Sequence, residues 1–145
     1  MRIRRCPEYR PAMYEHELWK AVGTGDEQTV RIALQAGRDV NQRFTLGGWT
    51  ALHVASKNGQ TGVVKLLIQH GADLTVRSKG DRTALHVASG NGQAEVVKLL
   101  IQHGADVEAR DEGDRTALHV ASRNGQAGVV KLLIQHGADV EARDE

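Results

Sequence analysis

The chain has 145 residues, with 19 Lys and Arg against 18 Asp and Glu, a net charge of +1 and 3% aromatic residues. That balance excludes the strongly cationic surface by which proteins hold phosphate backbones or anionic membranes, so neither nucleic acid nor a membrane is the expected partner. One cysteine, Cys6, excludes an internal disulfide framework and fits a reducing compartment, so the expected location is cytoplasmic, with a nuclear one as the alternative.

Residues 1–13 carry four arginines and no apolar stretch of the signal-peptide kind, and read as a flexible basic tail. The rest, 14–145, is one repeat domain. Thr-Ala-Leu-His recurs at Thr50, Thr83 and Thr116, and Gln-His-Gly-Ala-Asp at Gln69, Gln102 and Gln135, a period of 33 residues. Repetition at this period predicts a solenoid. The units are 14–46, 47–79, 80–112 and 113–145. The last two differ only at Gly90/Arg123 and Glu95/Gly128, which points to duplication of one unit.

The first unit is diverged and has one extra loop residue. Leu18 and Ala21 align with Leu52 and Ala55, Val30 with Val64, and Gly37 with Gly71, while Trp19 replaces the repeat histidine. We expect that replacement because no earlier hairpin exists for a histidine to bond. Glu15, Glu17, Lys20, Asp26, Glu27 and Arg31 suit a water-facing cap of the array.

Each later unit reads as helix, turn, helix and hairpin loop. Thr50 is placed as an N-cap whose hydroxyl accepts the N–H of His53, and Asn58-Gly59 as the helix end. The second helix carries Val63-Val64-Lys65-Leu66-Leu67-Ile68 and stops at Gly71. Being apolar on more than one side, it must be packed on more than one side, so a single unit cannot fold alone. Residues 73–81 form a polar connection that turns at Gly80. Unit four keeps this internal pattern and leaves an apolar terminal face. Either the array continues in a longer parent chain, the reading we favour, or this face pairs with something else.

Thr-Ala-Leu-His-Val-Ala-Ser, Asn-Gly-Gln and Val-Val-Lys-Leu-Leu-Ile-Gln-His-Gly-Ala-Asp at this period resemble the ankyrin repeat over about nine-tenths of the chain. The resemblance implies an all-α repeat solenoid of about four helix-turn-helix units joined by β-hairpin loops. Two departures stand out: Ala51, Ala84 and Ala117 where the family usually has proline, and Gly113-Asp114 where it commonly has Asp-Gly. The first leaves the helix start intact because alanine is a good helix former, and the second bears on turn type rather than architecture.

Six of the seven histidines form two ladders, His53, His86, His119 and His70, His103, His136. Their spacings of 16 and 17 residues follow the scaffold and not a converging metal site, so no metal and no cofactor is expected. The resemblance implies that the first ladder bonds threonine and neighbouring hairpin backbone. The second sits in a helix's last turn, where a protonated imidazole meets the dipole favourably. Ser56, Ser89 and Ser122 repeat within helices without a base and orienter beside them, and Gly80-Asp-Arg does not have the glycine spacing of a phosphate loop. No catalytic residue is assigned.

What remains is recognition. In proteins similar to this one the hairpin tips and first helices bind partners, which carries over to Lys57, Lys79, Asp81, Arg82, Asp111, Glu112, Asp114, Arg115 and Arg123. Arg77, Ser78 and Arg110 belong to the same exposed series. Most are expected to be solvated loop charges. Trp49 occupies the position of Arg82 and Arg115, beside Phe44 and Leu46, and this trio has two readings: an interface anchor, or a cover folded over the junction of the first two units. Asn41 reads as a turn-stabilising asparagine, with side-chain modification as a weaker alternative.

The expected function is noncatalytic protein binding as an adaptor or scaffold, by a monomer. The alternatives are an inhibitor docking on an enzyme such as a kinase, and a structural assembly segment joined end to end through unit four.

Overall fold

The computed structural model describes residues 11–44 and 47–140, with side chains from Leu18 onward. Residues 1–10 of the expected tail, and the side chains of Glu15 and Glu17, therefore lie outside the described residues. The helix of unit one starts at Pro11, three residues before the expected unit boundary; proline suits a first helical position because its missing N–H has no intrahelical partner there.

Eight helices are described: α1 Pro11–Thr24, α2 Glu27–Gln35, α3 Ala51–Asn58, α4 Thr61–Gln69, α5 Ala84–Gly90, α6 Ala94–Gln102, α7 Ala117–Arg123 and α8 Ala127–Gln135. Odd-numbered helices pack in succession, α1 on α3, α3 on α5 and α5 on α7; even-numbered ones do the same, and each pair within a unit packs together. The result is two helical layers around one continuous core. Leu67, Leu100 and Leu133 of the second helices are fully buried, each removal from water contributing about 2 kcal/mol. Val64 and Val97 are completely buried by the following unit, and so are Ser56 and Ser89. In unit four the same face is open: Ser122 is exposed, Val130 is half-buried and Ile134 is 45% exposed. It bounds a groove of about 680 Å³ between α7 and α8.

The helix boundaries follow the sequence signals. Thr83 Oγ1 accepts the N–H of His86 at 3.3 Å and Thr116 Oγ1 that of His119 at 3.4 Å, the N-cap bond that the sequence places at Thr50; at Thr50 itself the contact is its N–H donating to His53 Nδ1 at 3.1 Å. Gly59 closes α3 at φ +71, and Gly92 and Gly125 have φ +72 at the matching positions. At Gly59 and Gly92 a Cβ would also collide with the side chain of the next unit's Gln93 or Gln126, whereas nothing stands near Gly125.

The connections are hairpins by their hydrogen bonds, although no strand occurs among the described residues. Ser78 N–H donates to the Arg82 carbonyl at 2.9 Å and Asp81 N–H to the Ser78 carbonyl at 2.9 Å; Asp111, Asp114 and Arg115 repeat the pattern at the same distances. Too few residues pair in each loop to build a ladder. Asp81 and Asp114 hold φ of +61 and +64, left-handed conformations that suit glycine better. Gly80 is also left-handed at φ +90, but Gly113 is not, so the two turns differ. The residues that open the two turns also bond differently: Asp111 Oδ1 accepts Gly113 N–H at 2.9 Å, whereas Ser78 Oγ at the matching position donates to the Lys79 carbonyl at 3.1 Å.

Candidate functional site

The first histidine ladder is structural, and its tautomer follows from its partners. Thr83 N–H donates to His86 Nδ1 at 3.2 Å, so Nδ1 must be unprotonated, and Nε2 must carry the proton that it donates to the Arg115 carbonyl at 2.8 Å. His53 does the same between Thr50 N–H, at 3.1 Å, and the Arg82 carbonyl, at 3.0 Å. Burial holds both imidazoles below the ordinary value of 6.5, against the opposing pull of the carbonyl bonds. These histidines bond the hairpin that follows them, not an earlier one. The explanation expected for Trp19 therefore fails: a following hairpin is present beside it, and Trp19 instead packs its ring on Phe44 at 5.3 Å between centroids. In the second ladder, His70 lies just past the end of α4 with Nδ1 2.9 Å from the Leu66 carbonyl.

A second periodic series, Arg43, Arg77 and Arg110, joins the hairpins. Arg43 Nη1 donates to the Gly48 carbonyl at 2.9 Å and to that of Arg77 at 2.7 Å. Arg77 Nη1 donates to Asp81 at 2.8 Å and Arg110 at 2.6 Å, and Arg110 Nη1 to Asp114 at 2.8 Å. Arg77 and Arg110 are thus half-buried seam residues, and Ser78 is buried, which corrects their expected exposure. Asp111 requires the same correction as a contact residue. Its side chain is 0% exposed; Oδ1 accepts the N–H of Gly113 and Arg115, and Oδ2 lies 3.2 Å from Arg115 Nη2 and 3.8 Å from Arg82 Nε. Burial pushes this carboxyl up, but the Arg115 and Gly113 hydrogen bonds and the Arg115 charge outweigh it and hold the group below 3.8. A side chain enclosed in this way fixes Arg82 and Arg115 and cannot itself meet a partner.

Among the other expected contact residues, Lys57, Lys79, Asp81, Glu112 and Arg123 are exposed, and Asp114 is half-buried with its carboxylate 3.5 Å from Arg110 Nη1. Leu46 lies outside the described residues. Phe44 and Trp49 are joined through Phe44 N–H and the Trp49 carbonyl, at 2.9 Å, and both lean on the core. Trp49 is half-buried: its ring lies 5.6 Å from that of His53, and Lys57 Nζ sits 5.9 Å above it. Trp19, Gly47, Trp49, Val54, Lys57 and Asn58 line a groove of about 330 Å³ between hairpin and first helices. Trp19 escaped sequence reasoning as a site residue because it was read only as a lost histidine.

Asn41 clamps the first two units together: Oδ1 accepts Asp73 N–H at 2.8 Å and Nδ2 reaches the Gly71 carbonyl at 3.5 Å. Glu108 Oε2 accepts Asp139 N–H at 2.7 Å in the corresponding place. Among the described residues no group of three His, Cys, Asp or Glu is placed to hold a metal, and no helix is long and apolar enough to cross a membrane.

Two helical layers, a His–Thr–carbonyl seam and hairpins stitched to one another define a helical repeat solenoid. The family profile described as "Ankyrin repeats (3 copies)" matches residues 15–78 and 74–144, and the chain belongs to the ankyrin repeat family. It is similar to the 2-5A-dependent ribonuclease of Homo sapiens, 42% identical over 64 residues, covering 44% of this chain and 9% of that protein. Ankyrin repeat domain-containing protein 40 of Mus musculus is 37% identical over 68 residues, covering 46% and 19%. The E3 ubiquitin-protein ligase mind-bomb of Drosophila melanogaster is 34% identical over 79 residues, covering 54% and 6%. The chain thus spans less than one fifth of these relatives. Ankyrin repeats are in general protein-interaction modules without catalytic activity.

Proposed function

We propose that this chain is a noncatalytic protein-binding module of a cytoplasmic adaptor or scaffold. The observation that carries the reading is the groove at the first hairpin, where Trp49 keeps part of its indole accessible under Lys57, with Trp19 and Val54 as apolar walls. A partly exposed tryptophan beside a cation in a cleft is the kind of anchor that supplies most of an interface's energy. The other walls are held by bonded backbone, so little ordering is needed on binding. The open face of unit four supports a second reading, in which further repeats follow in a longer protein or another chain stacks there.

The test is affinity capture from cell extract with the full chain beside a Trp49→Ala, Phe44→Ala variant of matched fold. Proteins retained only by the unaltered chain support the first reading, and for such a partner Trp49→Ala alone weakens binding at least tenfold, about 1.4 kcal/mol. Equal retention removes the groove from the binding surface.

A further inference from the structure

Asparagine followed by glycine is chemically labile, because glycine has no Cβ to hinder attack by its backbone nitrogen on the asparagine side-chain amide. Of the four asparagines in the chain, Asn58, Asn91 and Asn124 stand in the same Asn-Gly-Gln at the end of a first helix, while Asn41 is followed by glutamine. The three share their local chemistry, so only the fold can make them differ.

Each is held at two atoms. The nitrogen that would attack is engaged in the helix end: Gly59 N–H donates to the Ala55 carbonyl, Gly92 N–H to that of Ser89 at 3.3 Å, and Gly125 N–H to that of Ser122 at 3.2 Å. The amides are bonded too, with Asn58 Nδ2 donating to the Gly23 carbonyl at 3.3 Å, Asn91 Nδ2 to that of Val87 at 2.8 Å and Asn124 Nδ2 to that of Gly90 at 2.9 Å. Reaction therefore requires the helix end to open locally. What covers the glycine separates the three sites. Gln93 packs its side chain over Gly59 and Gln126 over Gly92, and both glycines are half-buried; Gly125 is exposed, and no described atom approaches the space where a Cβ would stand. Opening unit two or three breaks packing on two sides, whereas unit four is held, among the described residues, on one.

We propose that Asn124 is a site of spontaneous modification, converting to aspartate and isoaspartate and loosening unit four from unit three as it does so. When the helix end opens, the Gly125 nitrogen gives its proton to solvent and bonds to Asn124 Cγ; the Cγ–Nδ2 bond breaks and Nδ2 leaves as ammonia. Solvent water then opens the cyclic imide at one of its two carbonyls. Breaking the new bond to Cγ returns the main chain with aspartate, and breaking the bond to the main-chain carbonyl carbon leaves isoaspartate, with the chain rerouted through Cγ. Water is the only reagent consumed, and nothing is oxidised or reduced. In both products a carboxylate replaces the amide that donated to the Gly90 carbonyl, so the joint keeps Gln126 Nε2 on that oxygen at 3.3 Å but loses its shorter bond. The same change at Asn91 removes a bond within unit three, not one between units.

The experiment is incubation of the full chain at mildly alkaline pH, folded and in parallel unfolded in urea, followed by acid-protease digestion and peptide mass spectrometry that reads acid in place of amide at each site. In urea the three Asn-Gly-Gln sites should convert at similar rates. In the folded chain position 124 should convert at least about tenfold faster than positions 58 and 91. Equal rates in the folded chain, faster conversion at 58 or 91, or no conversion at 124 while the unfolded chain reacts, would each overturn the proposal. The loosening is read by hydrogen exchange along α7 and α8, which should quicken at least about threefold in Asn124→Asp and clearly less in Asn91→Asp. Exchange that Asn124→Asp leaves unaltered, or that Asn91→Asp quickens equally, overturns the effect on the joint. Neither readout involves a partner, so both are independent of the protein-binding reading.

Discussion

Arg77 donates through one nitrogen, Nη1, to two carbonyls in successive hairpins, reaching Asp81 at 2.8 Å and Arg110 at 2.6 Å. Its planar, permanently charged head ties the loop of one unit to the loop of the next, and Arg43 repeats the bond one unit earlier.

Replacing Arg77 by methionine keeps most of the stem and deletes both bonds. Charge-assisted bonds at a half-exposed site are expected to contribute about 1 to 2 kcal/mol together, read as a lower urea midpoint with little change in slope. An unchanged midpoint would mean that water replaces the seam at no cost.

The two glycines Gly92 and Gly125 separate backbone strain from packing. Both have φ +72, so alanine at either is strained by about 1 kcal/mol. At Gly92 a Cβ also collides with Gln126, whose Nε2 bonds the Gly90 carbonyl at 3.3 Å; at Gly125 there is open space. Gly92→Ala should therefore lower the urea midpoint clearly more than Gly125→Ala, and equal shifts would assign the whole effect to conformation.

Stability should fall with acid in two separate windows. His53 and His86 have folded values held below 6.5 by burial, so the unfolded chain takes up protons first and stability rises with pH through this range. The stabilisation is complete above about pH 6.5 and is lost as pH falls below it, because a proton on Nδ1 would face the Thr N–H. Thermal melts at pH 7.5 and pH 5 should differ, with a shallower difference in His86→Gln. Asp111, held below its ordinary 3.8, stays ionised through that window and its contribution is lost only in stronger acid.

Asp81 invites the opposite kind of change. It sits at φ +61, where glycine is unstrained, and its side chain is exposed. Asp81→Gly should raise stability by about 0.5 to 1 kcal/mol, seen as a higher melting temperature, since relief of strain exceeds the added freedom of the unfolded chain.

Much of this architecture was legible because each signal is local. Thr50, Gly59 and Gly71 mark helix ends through bonds or conformations within a few residues, and the apolar spacing of the second helix requires neighbours on several sides. The seam was legible only in part. Arg43, Arg77 and Arg110 recur visibly, but a surface arginine and one bonded to the next unit's backbone have the same sequence signature. Asp111 misled for a related reason: its enclosure depends on Arg82, 29 positions earlier, as well as on its own hairpin. Trp19 shows the limit from the other side, since its contact with Phe44 spans the whole of the second helix and its loop.

The joints between units share one asymmetry. His53, His86, Arg43, Arg77, Gln93 and Asn124 reach across with side chains, yet each is received by a main-chain carbonyl: those of Arg82, Arg115, Arg77, Arg110, Lys57 and Gly90. A carbonyl is the same whatever residue carries it. Positions 57, 82 and 115 can therefore exchange one side chain for another while the neighbouring unit still finds its acceptor, and position 57 lines the groove beside Trp49. A copied unit can join such an array without a matched change elsewhere, and it is then free to drift first at the places where a new partner would feel the difference.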